Sequence, residues 1–166
     1  MTKLGDVIQR DTYASIPAAG VEGRLFYATD VGTLYRDSGA AWESYSAGLS
    51  SIEIIIDGGG AAITTGVKAD VEVPFACEIV AAVLLADQAG DIVIDIWNDS
   101  YANFPPTDAD SITAAAPPTL SAAAKSEDET LTAWTTALAK EDILRVNVDS
   151  VATIERVSLI LRVART

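Results

Sequence analysis

The stretch RVSLILRV at residues 156–163 alternates with a two-residue period. One side carries Val157, Leu159, Leu161 and Val163, and the other carries Arg156, Ser158, Ile160 and Arg162. Successive side chains of a β-strand point to opposite faces, so this period predicts a strand with one buried face. The alternation recurs in LRVNVD at 144–149, DIVIDIW at 91–97 and VEVPF at 71–75. Two sheets of such strands, stacked through their apolar faces, predict a β-sandwich.

The remainder of the C-terminal part contains further strand signals and one unassigned stretch. Apolar runs predict additional strands at 52–56, 61–64, 67–75 and 79–85. Residues 98–142 are left without an assignment, because proline pairs interrupt them. Within that stretch the alanine-rich run 121–125 fits a helical turn or a strand, and the threonine-rich run 130–138 favours strand or loop. We predict an all-β, jelly-roll-like β-sandwich over residues 49–166.

The N-terminal part has a different pattern. Residues 1–22 are predicted to form an extended arm, and GRLFYATDVGTLYRD at 23–37 has the hairpin pattern of β-formers around a glycine turn. With Trp42 it predicts a small three-stranded β-meander over residues 23–46. A meander of this size is marginal alone, so we expect it to serve docking or oligomerisation. The predicted interface residues are Leu25, Phe26, Tyr27, Leu34, Tyr35 and Trp42.

Composition excludes several classes of function. The 166 residues include 24 acidic and 11 basic residues, for a net charge of -13. Such an acidic body repels phosphate backbones and anionic lipids, so neither nucleic acid nor a membrane is an expected partner. The sequence has no histidine and one cysteine, Cys77, which excludes Ser-His-Asp, Cys-His and histidine-based metal chemistry. We predict a protein without enzymatic activity or cofactor, made in the cytoplasm.

Several segments resemble those of tailed-phage virion-surface structural proteins. The segment 23–37, closed by Trp42, is similar to a module near the N-terminus of such chains. The segments 56–60, 65–68, 73–79, 90–97, 133–136 and 150–159 are similar to a β-sandwich found in the same chains. The sequence departs from this pattern at Glu141, where the family more often has a glycine before the aspartate. The resemblance implies a jelly-roll-like sandwich, assembled as a homotrimer on the virion surface, and supplies no catalytic residue.

Two sets of residues are candidates for binding. Trp97, Tyr101 and Phe104 lie near acidic residues, and aromatic rings beside carboxylates can hold sugars; the same rings can instead close a sandwich core or contact a subunit. Arginines of the last strands, Arg156 and Arg162 above all, oppose the acidic trend. We therefore add them to the predicted interface, paired with carboxylates of a neighbouring subunit or a capsid protein.

Other motifs have a structural explanation that outweighs a functional one. Asp57-Gly58-Gly59-Gly60 lacks the spacing of a phosphate loop and predicts a turn. A calcium site at Asp87, Asp91, Asp95, Asn98 and Asp99 is a weaker alternative to solvated strand ends, because the spacing is not that of an EF-hand. The acidic run 127–129 predicts a solvated loop rather than a glycosidase pair. Cys77 is predicted to be a buried small apolar residue.

These observations predict a non-enzymatic, oligomeric surface component of a phage virion. The leading role is decoration or cementing of the capsid, with the major capsid protein or a tail protein as partner. The alternative is a tail or head fibre that recognises host-surface carbohydrate.

Overall fold

The computed structural model describes residues 8–45 and 48–166. Its strands, numbered in chain order, are β1 (Ile8–Asp11), β2 (Leu25–Ala28), β3 (Thr33–Asp37), β4 (Trp42–Ser44), β5 (Leu49–Asp57), β6 (Gly66–Glu72), β7 (Cys77–Ser100), β8 (Thr119–Asp128), β9 (Ala137–Leu138), β10 (Asp142–Ala152) and β11 (Arg156–Arg165). Short 3-10 turns occur at Tyr13–Ser15, Tyr101–Asn103 and Asp108–Asp110. The protein is all-β, as the alternation predicts. Among the described residues no helix has the length and apolarity needed to cross a membrane. The chain divides into two compact units, Met1–Gly48 and Leu49–Thr166.

The first unit is a four-stranded sheet in the order β1-β2-β3-β4. The sequence predicts three strands over 23–46 behind an extended arm at 1–22, whereas the structure forms a fourth strand from part of that arm. This strand, β1, pairs in parallel with β2, with Ile8 opposite Leu25. This pairing provides hydrogen-bond partners for backbone N–H and C=O groups of β2, which would lack them if β2 were the edge strand. Residues 1–7 of the predicted arm lie outside the described residues.

The segment after β1 covers one face of this sheet. Tyr13 packs on Tyr35 with ring centroids 5.4 Å apart, and the indole N–H of Trp42 donates to the carbonyl of Pro17 at 2.7 Å. Phe26 lies on the same face, only 3% exposed, with its ring 6.1 Å from that of Trp42. The small sheet therefore has an apolar core of its own.

A buried ion pair fixes the edge of that core. The carboxylate of Asp37 has no solvent exposure and accepts hydrogen bonds from Nε and Nη2 of Arg24 at 3.0 and 2.5 Å. It also accepts from the backbone N–H groups of Gly20, Val21 and Gly39. Burial alone would raise the pKa of Asp37, but Arg24 and these N–H groups hold that pKa well below its usual range. The carboxylate is thus ionised in the folded unit, and both of its oxygens accept hydrogen bonds.

The second unit is a curled seven-stranded sheet in the order β5-β11-β7-β10-β6, with β8 and β9 also paired to β7. The sequence predicts two strands at 79–85 and 91–97, and the structure joins them into the 24-residue β7. The first half of β7 pairs with β11 and the second half with β10. Gly90 lies between the halves, where a Cβ would come within 2.8 Å of the Ala152 carbonyl and 2.6 Å of Thr153 Oγ1. Glycine therefore allows β7 to pass close to the turn between β10 and β11.

The inward faces predicted from the alternation are confirmed. Residues at 1% exposure or less include Ile92, Ile94, Ile96, Leu144, Val146, Val148, Val157, Leu159, Leu161 and Val163. Cys77 is 1% exposed, and burial raises the pKa of its thiol, which fits a small apolar core residue. This continuous core holds β7, β10 and β11 in place, and with them the loops that they carry.

Elsewhere the structure differs from the expected strand limits. Residues 61–64 form no strand; Ile63 N–H donates instead to the carbonyl of Ile154 at 2.9 Å. The strand expected at 67–75 ends at Glu72. Of the unassigned stretch, the alanine-rich run belongs to β8, because pairing with β7 overrides its helical propensity. The structure establishes the all-β class and the curled sheet, while the jelly-roll connectivity stays a prediction.

Candidate functional site: an aromatic groove on the second unit

The groove begins with a loop that a buried carboxylate fixes to the sheet. Asp95 lies on the outward face of β7 yet is only 7% exposed, because the loop after β7 folds over it. Its two oxygens accept hydrogen bonds from Ser111 Oγ at 2.8 Å, Thr113 Oγ1 at 2.5 Å and the indole N–H of Trp97 at 2.7 Å. A carboxylate that accepts from three side-chain donors is held in one orientation by directional bonds. Asp95 thus anchors the loop that carries the exposed aromatic residues.

Next to this anchor, two rows of outward side chains cross β7, β10 and β6. In the first row Trp97 is opposite Arg145, which is opposite Asp70. Arg145 makes a two-pronged ion pair with Asp70, with Nε to Oδ1 at 2.6 Å and Nη2 to Oδ2 at 2.9 Å, and the Asp70 carboxylate raises the pKa of Arg145. The Arg145 guanidinium also lies 5.3 Å from the ring centre of Phe104. Arg145 therefore holds Phe104 over the sheet.

The second row contains Asp99, Ile143 and Glu72. Ile143 is 6% exposed and forms the apolar floor of the groove, whereas Glu72 is exposed. Asp99 accepts hydrogen bonds from Asn103 Nδ2 at 3.0 Å and from the backbone N–H of Ser100 at 2.7 Å, which lower its pKa. The row places a carboxylate on either side of an apolar floor.

Together these rows and the loop form an open groove of about 510 Å³. It is lined by Asp70, Val71, Glu72, Tyr101, Phe104 and Ile143. Tyr101 is 71% exposed and Phe104 is 52% exposed, so both rings present an uncovered face. The volume lies within the range of small-ligand sites, roughly 300–1,000 Å³.

The structure brings two of the three predicted sugar contacts together. Tyr101 and Phe104 line one groove, whereas Trp97 is partly buried beside it and engaged with Asp95. Sequence reasoning missed the contributions of β6 and β10, namely Asp70, Glu72, Ile143 and Arg145. Alternation places these side chains on outward faces, but only the strand register shows that those faces meet beside Phe104.

A second surface of interest is the uncovered face of the first unit. Ile8, Leu25, Tyr27 and Leu34 share this face, since Leu25 pairs with Ile8 on one side and Tyr27 pairs with Leu34 on the other. Tyr27 is 36% exposed, and the other three are partly exposed. Arg10 and Arg36 lie on the same face. We call these six residues the open face.

The open face divides the predicted interface residues into two groups. Leu25, Tyr27 and Leu34 belong to it, whereas Phe26, Tyr35 and Trp42 belong to the opposite face beneath the segment after β1. Phe26 is 3% exposed, so its ring is buried in the core of its own sheet rather than presented to a partner, whereas the interface role of the other five residues stays a prediction.

The arginines of the last strands have carboxylate partners within the chain. Arg156 Nε lies 2.7 Å from Asp57 Oδ2, and Arg162 pairs with Glu127. These contacts satisfy within one chain the charges that the sequence assigns to a neighbouring subunit. The exposure of both arginines is large enough for a further contact, so their interface role stays a prediction.

The weaker candidates have structural roles. Gly58 lies in a tight turn, where a Cβ would come within 2.0 Å of the Ala61 carbonyl. The carboxylates of the acidic set considered for calcium bond different segments: Asp87 accepts from the backbone of Arg156 and Asp91 from that of Ala122, whereas Asp95 holds the loop after β7. Among residues 8–45 and 48–166, no three or more Asp, Glu, Cys or His side chains converge on a metal position.

Comparisons with protein-family models, with curated proteins and with solved structures found no match.

Proposed function

We propose that this protein is a non-enzymatic structural component of a phage virion surface, attached through the open face of its first unit. The observation that carries the proposal is the asymmetry of that small sheet. One face is covered by its own chain through Tyr13 and Trp42, while the other presents Leu25, Tyr27 and Leu34. Apolar side chains aligned across three strands gain free energy when another polypeptide covers them.

The charges around the open face suggest the type of partner. Arg10 and Arg36 flank its apolar row, in a chain whose net charge is -13. Arg36 Nη2 lies 3.5 Å from Glu22 Oε1 and is opposite Glu43 in the register, so Arg10 is the cation that argues most directly for an acidic partner. Arginine in such a position contributes both stacking and hydrogen bonds to carboxylates. The fitting partner is an apolar protein surface with acidic residues at its rim, such as a major capsid protein or a tail protein. Many copies on one particle would make the array stable even where each contact is weak.

The proposal includes self-association as a homotrimer, which light scattering of the purified chain measures directly. Attachment is tested by co-sedimentation with empty capsids and with isolated tails of the phage that carries the gene. The informative variant is Tyr27→Ser with Leu34→Ser, and the matched control is Val31→Ser, an exposed turn residue of the same unit. We expect the double variant to lose particle binding and the control to keep it. A monomeric wild-type chain without affinity for either particle would refute the proposal.

A fibre of the head or tail that recognises host carbohydrate is the second candidate function. The aromatic groove favours it, since Tyr101 and Phe104 expose their rings on the second unit.

A further inference from the structure

We infer that the aromatic groove on the second unit binds a neutral oligosaccharide. The inference deepens the second candidate function and rests on it, while attachment through the open face is tested separately. It specifies the charge of the ligand, the rings that hold it and the carboxylates that orient it.

The rings provide the first argument. A pyranose ring has a face of C–H groups that packs on an aromatic ring, and Tyr101 and Phe104 each expose such a ring to the groove. One face of Phe104 is occupied by the Arg145 guanidinium. Its other face is free for a ligand, and Ile143 provides an apolar floor beside it.

The charges provide the second argument, because they select against ionised ligands. Arg145 pairs with Asp70, with contacts of 2.6 and 2.9 Å. Glu72 is the other carboxylate that lines the groove, and Asp99 lies beside it, opposite Ile143 in the same row. These carboxylates repel an anion, which excludes acidic glycans and phosphate groups. A cation would have to approach Phe104 beside a guanidinium that already occupies one of its faces. A neutral ligand rich in hydroxyl donors avoids both conflicts, since Glu72 and Asp99 accept hydrogen bonds.

Rigidity provides the third argument. Asp95 fixes the loop through Ser111 and Thr113. Asp110 Oδ2 accepts hydrogen bonds from the backbone N–H and the hydroxyl of Thr107, each at 2.8 Å, which closes the turn that precedes Ser111. The rings thus project from a loop that is bonded to the sheet at several points. A pre-ordered site loses less conformational entropy on binding, which suits the weak individual contacts of a sugar.

The test is a glycan array of neutral and acidic oligosaccharides, followed by titration calorimetry on the full chain with the best neutral ligand. We expect binding to neutral glycans in preference to acidic ones, weakened about tenfold or more by Tyr101→Ala and by Phe104→Ala. Tyr45→Ala, which removes an equally exposed ring from the other unit, is the matched control and should bind as wild type. Circular dichroism checks that each variant is folded.

Three results would overturn the inference. The first is that no neutral glycan binds at millimolar concentration, and the second is that the Tyr101 and Phe104 variants bind as well as wild type. The third is that these variants dissociate the oligomer, which would make the groove a subunit contact. Particle co-sedimentation distinguishes this failure from failure of the proposed attachment, because the groove variants should still bind capsids or tails.

Discussion

Replacing Asp95 with alanine should destabilise the second unit through the loop that forms the groove. The substitution removes the acceptor for the hydroxyl of Thr113, a residue with no solvent exposure. An unsatisfied buried donor costs about 1–3 kcal/mol. The hydroxyl of Ser111 and the indole N–H of Trp97 are partly buried and each lose a bond worth about 0.5–1.5 kcal/mol. Because the substitution also removes the cost of burying the carboxylate, the expected net loss in the free energy of unfolding is about 2–4 kcal/mol.

Urea unfolding followed by tryptophan fluorescence measures this loss, and hydrogen exchange over 101–118 shows whether the opening is local. A double-mutant cycle with Thr113→Val tests the mechanism, because valine keeps the shape of threonine and removes only the hydroxyl. Thr113→Val should cost about 1–2 kcal/mol in the wild type and much less in the Asp95→Ala background. Additive effects, or an Asp95→Ala variant within about 0.5 kcal/mol of wild type, would show that the carboxylate does not anchor the loop.

Three further predictions concern single positions. Glu141 has a φ of 71°, so Glu141→Gly should raise the free energy of unfolding, measured in urea, by about 0.5–1 kcal/mol. Glu141→Ala keeps a Cβ in the left-handed region and should give no such gain. Gly90→Ala should lower the free energy of unfolding by about 2 kcal/mol or more, since the new Cβ collides with the β10–β11 turn. Gly48→Ala, where a Cβ meets no atom within 4 Å, is the control, and equal urea midpoints for the two variants would contradict the collision. The pKa of Asp37 is lowered in the folded state, so its ion pair stabilises the first unit above the ordinary aspartate pKa of about 3.9 and loses that effect as the pH falls below it. The difference in melting temperature between wild type and Asp37→Asn should be constant from pH 7 to 5 and shrink below about pH 4, and a difference already gone at pH 5 would contradict the ion pair.

Glu141, where the sequence departs from the pattern that it resembles, has an unusual backbone conformation. The resembled pattern more often has glycine before the aspartate, and the structure places Glu141 in the left-handed region that glycine adopts without strain. The backbone N–H of Glu141 still donates to the carbonyl of Val73 at 2.8 Å. The turn therefore pairs with Val73 even though Glu141 places a side chain in the left-handed region.

Strand alternation was enough to predict the all-β class and the inward faces of β10 and β11, because a side chain's face depends only on its position along an extended strand. Local pattern did not predict that 79–85 and 91–97 form one strand, since the continuity of β7 depends on partners more than forty residues away in sequence. It also left the alanine-rich run of β8 undecided, where pairing with β7 outweighs helical propensity.

The candidate site divides in the same way. The sequence by itself marked Tyr101 and Phe104, because two aromatic residues near carboxylates are visible in a linear pattern. Only the tertiary structure decided that Glu72 and Arg145 lie beside them and that Trp97 turns to Asp95 instead. The physical reason is register: which side chains are neighbours across three strands is set by long-range backbone hydrogen bonds, and these have no signature in any local stretch of sequence.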